Sequence, residues 1–363
     1  MNKKNILLTV IVSLVFVVSS CRRSDAVLPE EEPKEEPIDR NEPPPPGGCN
    51  TGGVSSERMF SSPYEDPIWH PNGKIIGFNQ SPLKEIKYHK GYACPFHATY
   101  VDQVDSIGFW LVNADGTNKR RILPYQLTTP VWSPDGKWIA FSRESEIYKM
   151  PFDGEKFNTS AMVRLTNSGR NFFPVWSPDG EWIAYSHTLC NEIKCGIWII
   201  NKAGMYNEFV IPYGQYPAWR NDNEIVYLKT KADNNGALLG DSLWIYNITE
   251  NSHGAIQFLT QSNNSNRYMK SSFDYSKLGF ISQSNITGAE EKVQLYTIGT
   301  TGTLLTKMTN DGAMKFSWGP GNKIVYVSFN WDRIDETKGT LWTMNADGTD
   351  KKPLTYNSMK LTR

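Results

Sequence analysis

The chain has 363 residues, and its 38 lysine and arginine residues balance its 38 aspartate and glutamate residues. This balance argues against a nucleic-acid-binding protein, which would use an excess of basic residues to displace counterions. Aromatic residues make up 12% of the chain, and 28 glycines and 22 prolines accompany them. This combination favours an all-β protein of many short strands joined by tight turns.

The first 20 residues have the pattern of a secretory signal. Lys3 and Lys4 precede an apolar run over residues 6–18, which is shorter than the roughly 20 residues needed to span a bilayer. The run ends in the sequence Val-Ser-Ser before Cys21, which resembles a bacterial lipobox. We therefore predict that residues 1–20 are a lipoprotein signal peptide and that Cys21 is lipidated, for example with palmitate. An ordinary secretory signal with an incidental cysteine is the alternative.

The residue after Cys21 is Arg22 rather than aspartate. By resemblance to Gram-negative lipoproteins, this favours an outer-membrane location over retention in the inner membrane. The sequence leaves open whether the protein faces the periplasm or the cell surface.

Residues 21–53 have the composition of an extended tether. They include four consecutive prolines at 43–46 and more acidic than basic residues. Such a segment cannot bury enough apolar surface to offset the entropy of ordering it. We predict a disordered, acidic, Pro-rich spacer between the membrane and a globular part at residues 54–363. An acidic export or recognition signal is the alternative.

The globular part contains six copies of one repeat. The segment 130–142, PVWSPDGKWIAFS, returns at 174–186 with only two differences. Weaker copies begin at Pro67, Pro217, Ser271 and Phe316. The aromatic residues that mark the six first strands are predicted to be Trp69, Trp132, Trp176, Trp219, Phe273 and Trp318.

Each copy has the pattern of four antiparallel strands. A short strand leads into a turn such as Ser-Pro-Asp-Gly, whose residues favour turn conformations. A second strand follows that is apolar on both faces, then a third strand with an aromatic residue, and a fourth that often ends in Leu-Thr. Six such units at this spacing predict a six-bladed β-propeller.

These motifs resemble the TolB-like, WD40-like repeats known as PD40. The resemblance extends from about residue 63 to Thr355. It is close in the second and third copies, whereas the fourth and fifth have lost the Pro-Asp-Gly turn. The resemblance implies a single-domain, six-bladed ring and a monomeric scaffold or binding protein of the bacterial envelope. TolB also has a separate N-terminal α/β domain, but the tether occupies that place here, so partner binding by that domain is not implied.

Ligand binding is predicted on one face of the ring. The first and third turns of every blade lie on one face, which we call the lower face; the loops between blades and the second connections lie on the other, the upper face. The first blade carries an insertion around residues 81–106 on the upper face, where long loops often carry function. Exposed aromatic and arginine side chains are typical of binding sites, so the candidate ligand-binding residues are Arg170, Phe172, Tyr216, Arg267, Tyr268 and Trp331. Alternatively, the aromatic residues Phe172, Phe173 and Tyr216 pack between blades.

Four further cysteines suggest disulfides, since exported proteins fold in an oxidising compartment. Cys190 and Cys195 could join the two sides of one loop, and Cys49 could then pair with Cys94. Cys94 also lies near His89 and His97, but their spacing fits no closed zinc site, and we predict no metal.

No cofactor motif and no Gly-x-Ser-x-Gly hydrolase motif occurs in the sequence. Asp135 and Asp179 are interpreted as turn formers, and His70 as a structural replacement for a turn serine. We therefore predict a non-catalytic, lipid-anchored envelope protein without cofactors, which binds another protein or a glycan and no nucleic acid. The alternative is a polysaccharide lyase or glycosidase, which would need histidine, arginine and carboxylate groups to converge at the channel mouth.

Overall fold

The computed structural model describes residues 63–88, 98–188, 194–232, 238–258, 264–284, 293–328 and 339–356. The predicted signal peptide, its lipidation site Cys21 and the predicted tether all lie outside these residues. The described residues contain no helix that is long and apolar enough to cross a membrane.

Six four-stranded antiparallel sheets follow one another along the chain, so the all-β, six-bladed propeller is confirmed. The strands of the first three blades are β1 Tyr64–Trp69, β2 Ile75–Gln80, β5 Gly108–Asn113 and β6 Arg120–Leu123; β7 Thr128–Trp132, β8 Trp138–Arg143, β9 Glu146–Pro151 and β10 Val163–Arg164; and β11 Asn171–Trp176, β12 Trp182–His187, β13 Gly196–Asn201 and β14 Asn207–Pro212. Those of the last three are β15 Gln215–Asn221, β16 Glu224–Ala232, β17 Leu238–Asn247 and β18 Ser252–Phe258; β19 Asn264–Ser271, β20 Lys277–Ser284, β21 Val293–Gly299 and β22 Thr306–Lys307; and β23 Ala313–Gly319, β24 Lys323–Ser328, β25 Leu341–Asn345 and β26 Lys352–Pro353.

The insertion in the first blade forms a hairpin of its own. Its strands, β3 Leu83–Tyr88 and β4 Ala98–Asp102, pair with each other outside the blade sheet. A single 3₁₀ turn, Val104–Ser106, leads back to β5. The long loop that the sequence placed on the upper face is therefore partly ordered as a β-hairpin, and a second 3₁₀ turn, Thr159–Ala161, lies in the second blade.

Side chains rather than a shared strand close the ring. Within the described residues, every blade sheet is built from one continuous stretch of chain, and none combines strands from both ends. The first and sixth blades are joined by an ion pair of 2.9 Å between Lys315 and Asp66. The backbone amide of Trp69 also donates to the Ser317 hydroxyl at 3.2 Å.

The core of each blade contains a cross-strand aromatic pair. The second strands are buried on both faces, as the sequence predicts for a sheet that lies between two others. In every blade an aromatic residue of the second strand faces one of the third across the antiparallel ladder. The six pairs are Phe78–Trp110, Phe141–Tyr148, Tyr185–Trp198, Tyr227–Trp244, Phe280–Tyr296 and Tyr326–Trp342. Such pairs stabilise a sheet beyond the area they bury.

The repeated turns are held by local hydrogen bonds. In the second blade the Ser133 hydroxyl donates to Asp135 at 2.6 Å, and Asp135 accepts the Lys137 amide at 3.0 Å. Blade five was predicted to have lost this turn, but Ser272 and Asp274 form the same bond at 2.6 Å. The serine and aspartate thus preserve the turn without the proline and glycine, and the aspartates act as turn formers.

The Leu-Thr motif also has a structural role. The hydroxyls of three buried threonines accept backbone amides at the start of the third strand of their own blade. These bonds are Ile147 N to Thr166 Oγ1 at 2.9 Å, Leu295 N to Thr309 Oγ1 at 3.0 Å, and Leu341 N to Thr355 Oγ1 at 3.1 Å. The threonine therefore satisfies a buried donor that the short fourth strand does not reach.

The predicted marker aromatic of the fifth blade is wrong. Ser271 pairs with Leu278 in the register that Trp132 and Ile139 show in the second blade. Phe273 lies two residues later, in the turn, and is 41% exposed. The Ser271 hydroxyl instead donates to the carbonyl of Trp219 in the neighbouring blade. The predicted alignment of this strand with the other first strands is therefore two residues off.

Candidate functional site

A bulge in each innermost strand directs one side chain into the upper mouth of the central channel. The pairing between first and second strands shifts register at this point in all six blades. In five of them a residue other than glycine adopts a positive φ there: Asp66 at 45°, Thr129 at 48°, Phe173 at 58°, Tyr216 at 51° and Tyr268 at 57°. This conformation is costly for residues with a side chain, and bulges often reorient side chains at functional sites.

We call these five residues, together with Lys315 at the matching position of the sixth blade, the mouth ring. All six line one cavity. The five positions with a positive φ carry an acid, a hydroxyl and three aromatic rings, and Lys315, which follows the register shift of the sixth blade, adds an amine. The scaffold therefore fixes where the side chains point, and their identities set the chemistry of the mouth.

Three adjacent members of the mouth ring form an aromatic cluster. The Phe173 and Tyr216 ring centroids are 4.7 Å apart, and Tyr268 lies 5.8 Å from each. The rings are tilted by 55–69° to one another. Tyr216 is half-buried, and burial, together with its neighbour Tyr268, raises its pKa to about 12. Tyr216 is therefore neutral at physiological pH, and the three rings give the cluster a mainly apolar surface.

The other side of the mouth ring is charged. The Lys315 ammonium contacts Asp66 at 2.9 Å and lies 3.8 Å from the centroid of the Tyr268 ring. Burial alone would lower the pKa of Lys315, but Asp66 and Tyr268 outweigh it and raise that pKa above its usual value. Lys315 therefore stays protonated, and it connects the charged side of the mouth to the aromatic cluster.

Lys270 lies one level deeper in the channel. Its equivalents in the other blades, in chain order, are Ile68, Val131, Val175, Ala218 and Ser317, all of which line the same cavity. Its ammonium is 5.9 Å from the Phe316 ring. Burial lowers the pKa of Lys270 to about 8, with a further decrease from Lys315 and an opposing increase from Asp66.

The channel below the mouth is a cavity of about 180 Å³. A cavity of about 150 Å³ is large enough to hold benzene. The space therefore accommodates one side chain or the end of a chain, but no folded domain. Its walls are mostly apolar, since prolines, valines and the tryptophans of the first strands line it.

The predicted ligand-binding residues occupy three kinds of position. Tyr216 and Tyr268 are members of the mouth ring. Phe172 and Arg267 are half-buried in the same strands, next to the mouth ring, and the Phe172 ring lies 6.3 Å from Phe173. Arg170 is exposed on the loop before the third blade.

Trp331 and most of the predicted disulfide cysteines lie outside the described residues. Cys195 is buried and disulfide-bonded, but its predicted partner Cys190 lies outside the described residues. The same holds for Cys49, Cys94, His89 and His97.

The three histidines in the described residues do not line the channel. His70 is buried between two lower-face turns, where its Nε2 is 3.1 Å from the Gly136 carbonyl and its Nδ1 accepts the Asn72 amide. His187 contacts Asn171 at 2.8 Å in the third blade, and His253 packs on Tyr246 in an outer strand. No group of three potential metal-binding side chains converges in the described part of the chain.

A buried carboxylate anchors the upper loop between the second and third blades. Glu146 accepts hydrogen bonds from Arg164 at 2.9 Å, Thr166 at 2.6 Å, the Gly169 amide at 2.8 Å and Asn171 at 2.7 Å. Burial would raise the pKa of Glu146, but these donors outweigh it and lower the pKa. The network holds in place the loop that leads into β11, which carries Phe173.

Sequence reasoning missed Asp66, Thr129, Lys270 and Lys315. A usable signal was present, because the residue before proline in the repeated x-Pro-x-Trp motif is the mouth-ring member in the first four blades. The fifth blade lacks the motif. Because Phe273 was taken as the marker aromatic, the equivalence of Lys270 and Val131 could not be seen in the sequence. The sixth blade keeps only the tryptophan.

A scan against protein-family models and a search of curated proteins both find no match. Among solved structures, TolB from Acinetobacter baumannii superposes with a TM-score of 0.53 at 15% identity, covering 79% of this chain and 61% of TolB. The tricorn protease superposes with a TM-score of 0.51 at 15% identity, covering 84% and 27%. A putative TolB from Agrobacterium tumefaciens gives 0.49 at 20% identity, covering 66% and 84%.

These similarities concern the fold. This chain spans less than two thirds of the Acinetobacter protein and about a quarter of the protease. The chain has a TolB-like six-bladed β-propeller fold, and one fold of this kind supports many functions.

Proposed function

We propose that this protein is a non-catalytic, lipid-anchored binding protein of the bacterial envelope that captures a polypeptide segment at the upper mouth of its channel. The observation that carries the proposal is the mouth ring. Five strained bulges direct side chains into one opening, where an aromatic cluster meets the Lys315–Asp66 ion pair. Tyrosines that are half-buried in such an opening are typical of interaction hot spots.

The geometry of the aromatic cluster favours a polypeptide over a glycan. A sugar ring stacks best on the open face of a flat aromatic ring, but Phe173, Tyr216 and Tyr268 are tilted against one another. Their edges and faces form an irregular apolar rim instead. A side chain from a loop or chain end fits such a rim and the cavity of about 180 Å³ beneath it.

A polysaccharide lyase or glycosidase remains the competing function. Such an enzyme would need an acid and a base positioned around a scissile bond. None of the three histidines in the described residues lines the channel, and Asp66, the one carboxylate among the described lining residues, is paired with Lys315. Turnover of an acidic polysaccharide by the protein, abolished by a mouth-ring substitution, would replace our proposal with this one.

Tyr268→Ala should weaken capture of the partner about tenfold or more, because the ring contacts both tyrosine and lysine neighbours at the mouth. The measurement is a quantitative pulldown from envelope extracts, with melting temperature recorded in parallel. Tyr206→Ala is the matched control, since Tyr206 is 67% exposed in a lower-face turn. Equal capture by the two variants would place the binding surface elsewhere.

The anchoring part of the proposal depends on Cys21. Cys21→Ala should abolish incorporation of radiolabelled palmitate and move the protein from the membrane fraction to the soluble fraction, because one cysteine carries all of the lipid. Cys195→Ala is the control, since this cysteine is buried in the propeller. Unchanged palmitate labelling of the Cys21→Ala variant would refute lipidation at this residue.

A further inference from the structure

Among the described residues that line the channel, positive charges outnumber negative ones. The residues that line the cavity include three charged side chains, Asp66, Lys270 and Lys315. Asp66 is engaged by Lys315 at 2.9 Å. No described residue accepts a hydrogen bond from the Lys270 ammonium, which lies 5.9 Å from the centroid of the Phe316 ring. Two ammonium groups thus share one carboxylate.

Lys270 is the one charged residue at its level of the channel among the six equivalent positions. The other five residues of its level are aliphatic or serine, which suits a close-packed channel wall. An isolated buried ammonium opposes folding unless something compensates its charge. A lysine at a level where the other blades place uncharged residues thus costs stability, and a ligand anion would offset that cost.

The surroundings define what kind of anion fits. Above Lys270, the mouth ring presents the cluster of Phe173, Tyr216 and Tyr268, so a ligand reaches the ammonium past apolar surface. The cavity of about 180 Å³ holds one aromatic or large aliphatic group and a small charged group. Only one positive charge is left over, which matches one carboxylate.

We infer that the channel is a carboxylate-binding site, in which Lys270 pairs with a single carboxylate carried next to an apolar side chain of an inserted polypeptide. This inference rests on the proposed function and specifies the ligand of the same site. The carboxylate has two possible sources in a polypeptide, the chain terminus or an acidic side chain. Both would place the negative charge beneath the apolar rim.

Carboxylate binding by Lys270 should depend on pH. The titratable groups around it are Lys315 from the sixth blade, Asp66 from the first blade, Tyr268 from its own strand and Tyr216 from the fourth blade. Because burial lowers the pKa of Lys270 to about 8, its ammonium is protonated below that pH and loses its charge above it. Carboxylate binding should therefore weaken as the pH rises through about 8.

The test uses small probes with the full chain. N-acetyl-phenylalanine, which carries a free carboxylate, and its amide are titrated by ligand-observed NMR. N-acetyl-aspartate phenethylamide, in which the side chain carries the carboxylate, distinguishes the second source. We expect the two acids to bind about tenfold more tightly than the amide at pH 7, and this preference to decline as the pH rises above about 8.

Lys270→Met should abolish the preference for the acids while leaving amide binding unchanged. Lys137→Met, on an exposed lower-face turn, should retain the preference and controls for net charge. Removing an ammonium without a hydrogen-bond acceptor should not unfold the ring, and the melting temperature checks this.

The remaining results would overturn the inference. Equal binding of acid and amide, or an unchanged preference in Lys270→Met, would refute the carboxylate site. Tighter binding of glucuronate than of both acids would assign the site to an acidic glycan. Partner capture that depends on Tyr268 but not on Lys270 would refute this inference and leave the proposed function standing.

Discussion

Trp132→Ala is expected to lower the free energy of unfolding by about 3–5 kcal/mol, the range for removing a large buried aromatic side chain. Trp132 is 6% exposed. Its ring packs against His70 at 4.7 Å, Phe152 at 5.0 Å and Phe157 at 5.6 Å between centroids. The residue connects the first and second blades, so a cavity there would weaken both. Chemical denaturation measures the loss.

Trp138→Ala in the same blade is the matched control. Trp138 is only half-buried, and its main polar neighbour is the Lys149 ammonium at 4.3 Å from the ring. Its removal should cost about 1 kcal/mol, the size of a partly exposed cation–π contact. A loss for Trp132→Ala as small as that for Trp138→Ala would show that the blade interface relaxes to fill the cavity.

Glu146→Ala should have a similarly large effect, lowering the free energy of unfolding by about 3–5 kcal/mol. The side chain is 5% exposed and accepts four hydrogen bonds. Its removal deprives the Thr166 hydroxyl and the Gly169 amide of this acceptor. The Asn171 side-chain amide keeps only its 3.1 Å bonds to the Thr166 and Ser168 hydroxyls. Thermal and denaturant unfolding at pH 7 measure the change.

The fifth blade provides the control for this prediction. Gln294 occupies the position of Glu146 there and accepts the Thr309 hydroxyl at 2.6 Å and the Gly312 amide at 3.2 Å. Gln294→Ala removes an uncharged acceptor with fewer donors, so we expect a loss of about 1–3 kcal/mol. Equal losses at the two positions would mean that the charge of Glu146 contributes nothing to the upper loop.

The repeats made the fold predictable. Each copy contains its own turn residues, an apolar second strand and a third-strand aromatic, so local chemistry alone indicates four strands. Six copies then require a ring, because each apolar sheet needs a neighbour on both faces. The error at Phe273 shows the limit of this reasoning. The Ser272–Asp274 turn and the Ser271 hydroxyl bond replace the aromatic that the pattern led us to expect.

The candidate binding residues were only partly predictable. Exposed aromatics on the upper loops led to Tyr216 and Tyr268, because such residues stand out in a sequence. Asp66 and Lys315 are 249 residues apart, and nothing local in either segment indicates that they meet. Closure of the ring brings them together, since the first and last blades become neighbours only in the folded protein.

The sequence by itself determined the strand pattern, the number of blades and the face on which the loops vary, because these depend on turn chemistry and on the period of apolar residues. Only the tertiary structure decided which side chains enter the channel. A register shift in each first strand turns one residue inward, and the circular arrangement sets six distant residues around one opening. The excess positive charge at Lys270 arises only in the folded ring, because it depends on the ion pair that Lys315 forms with Asp66.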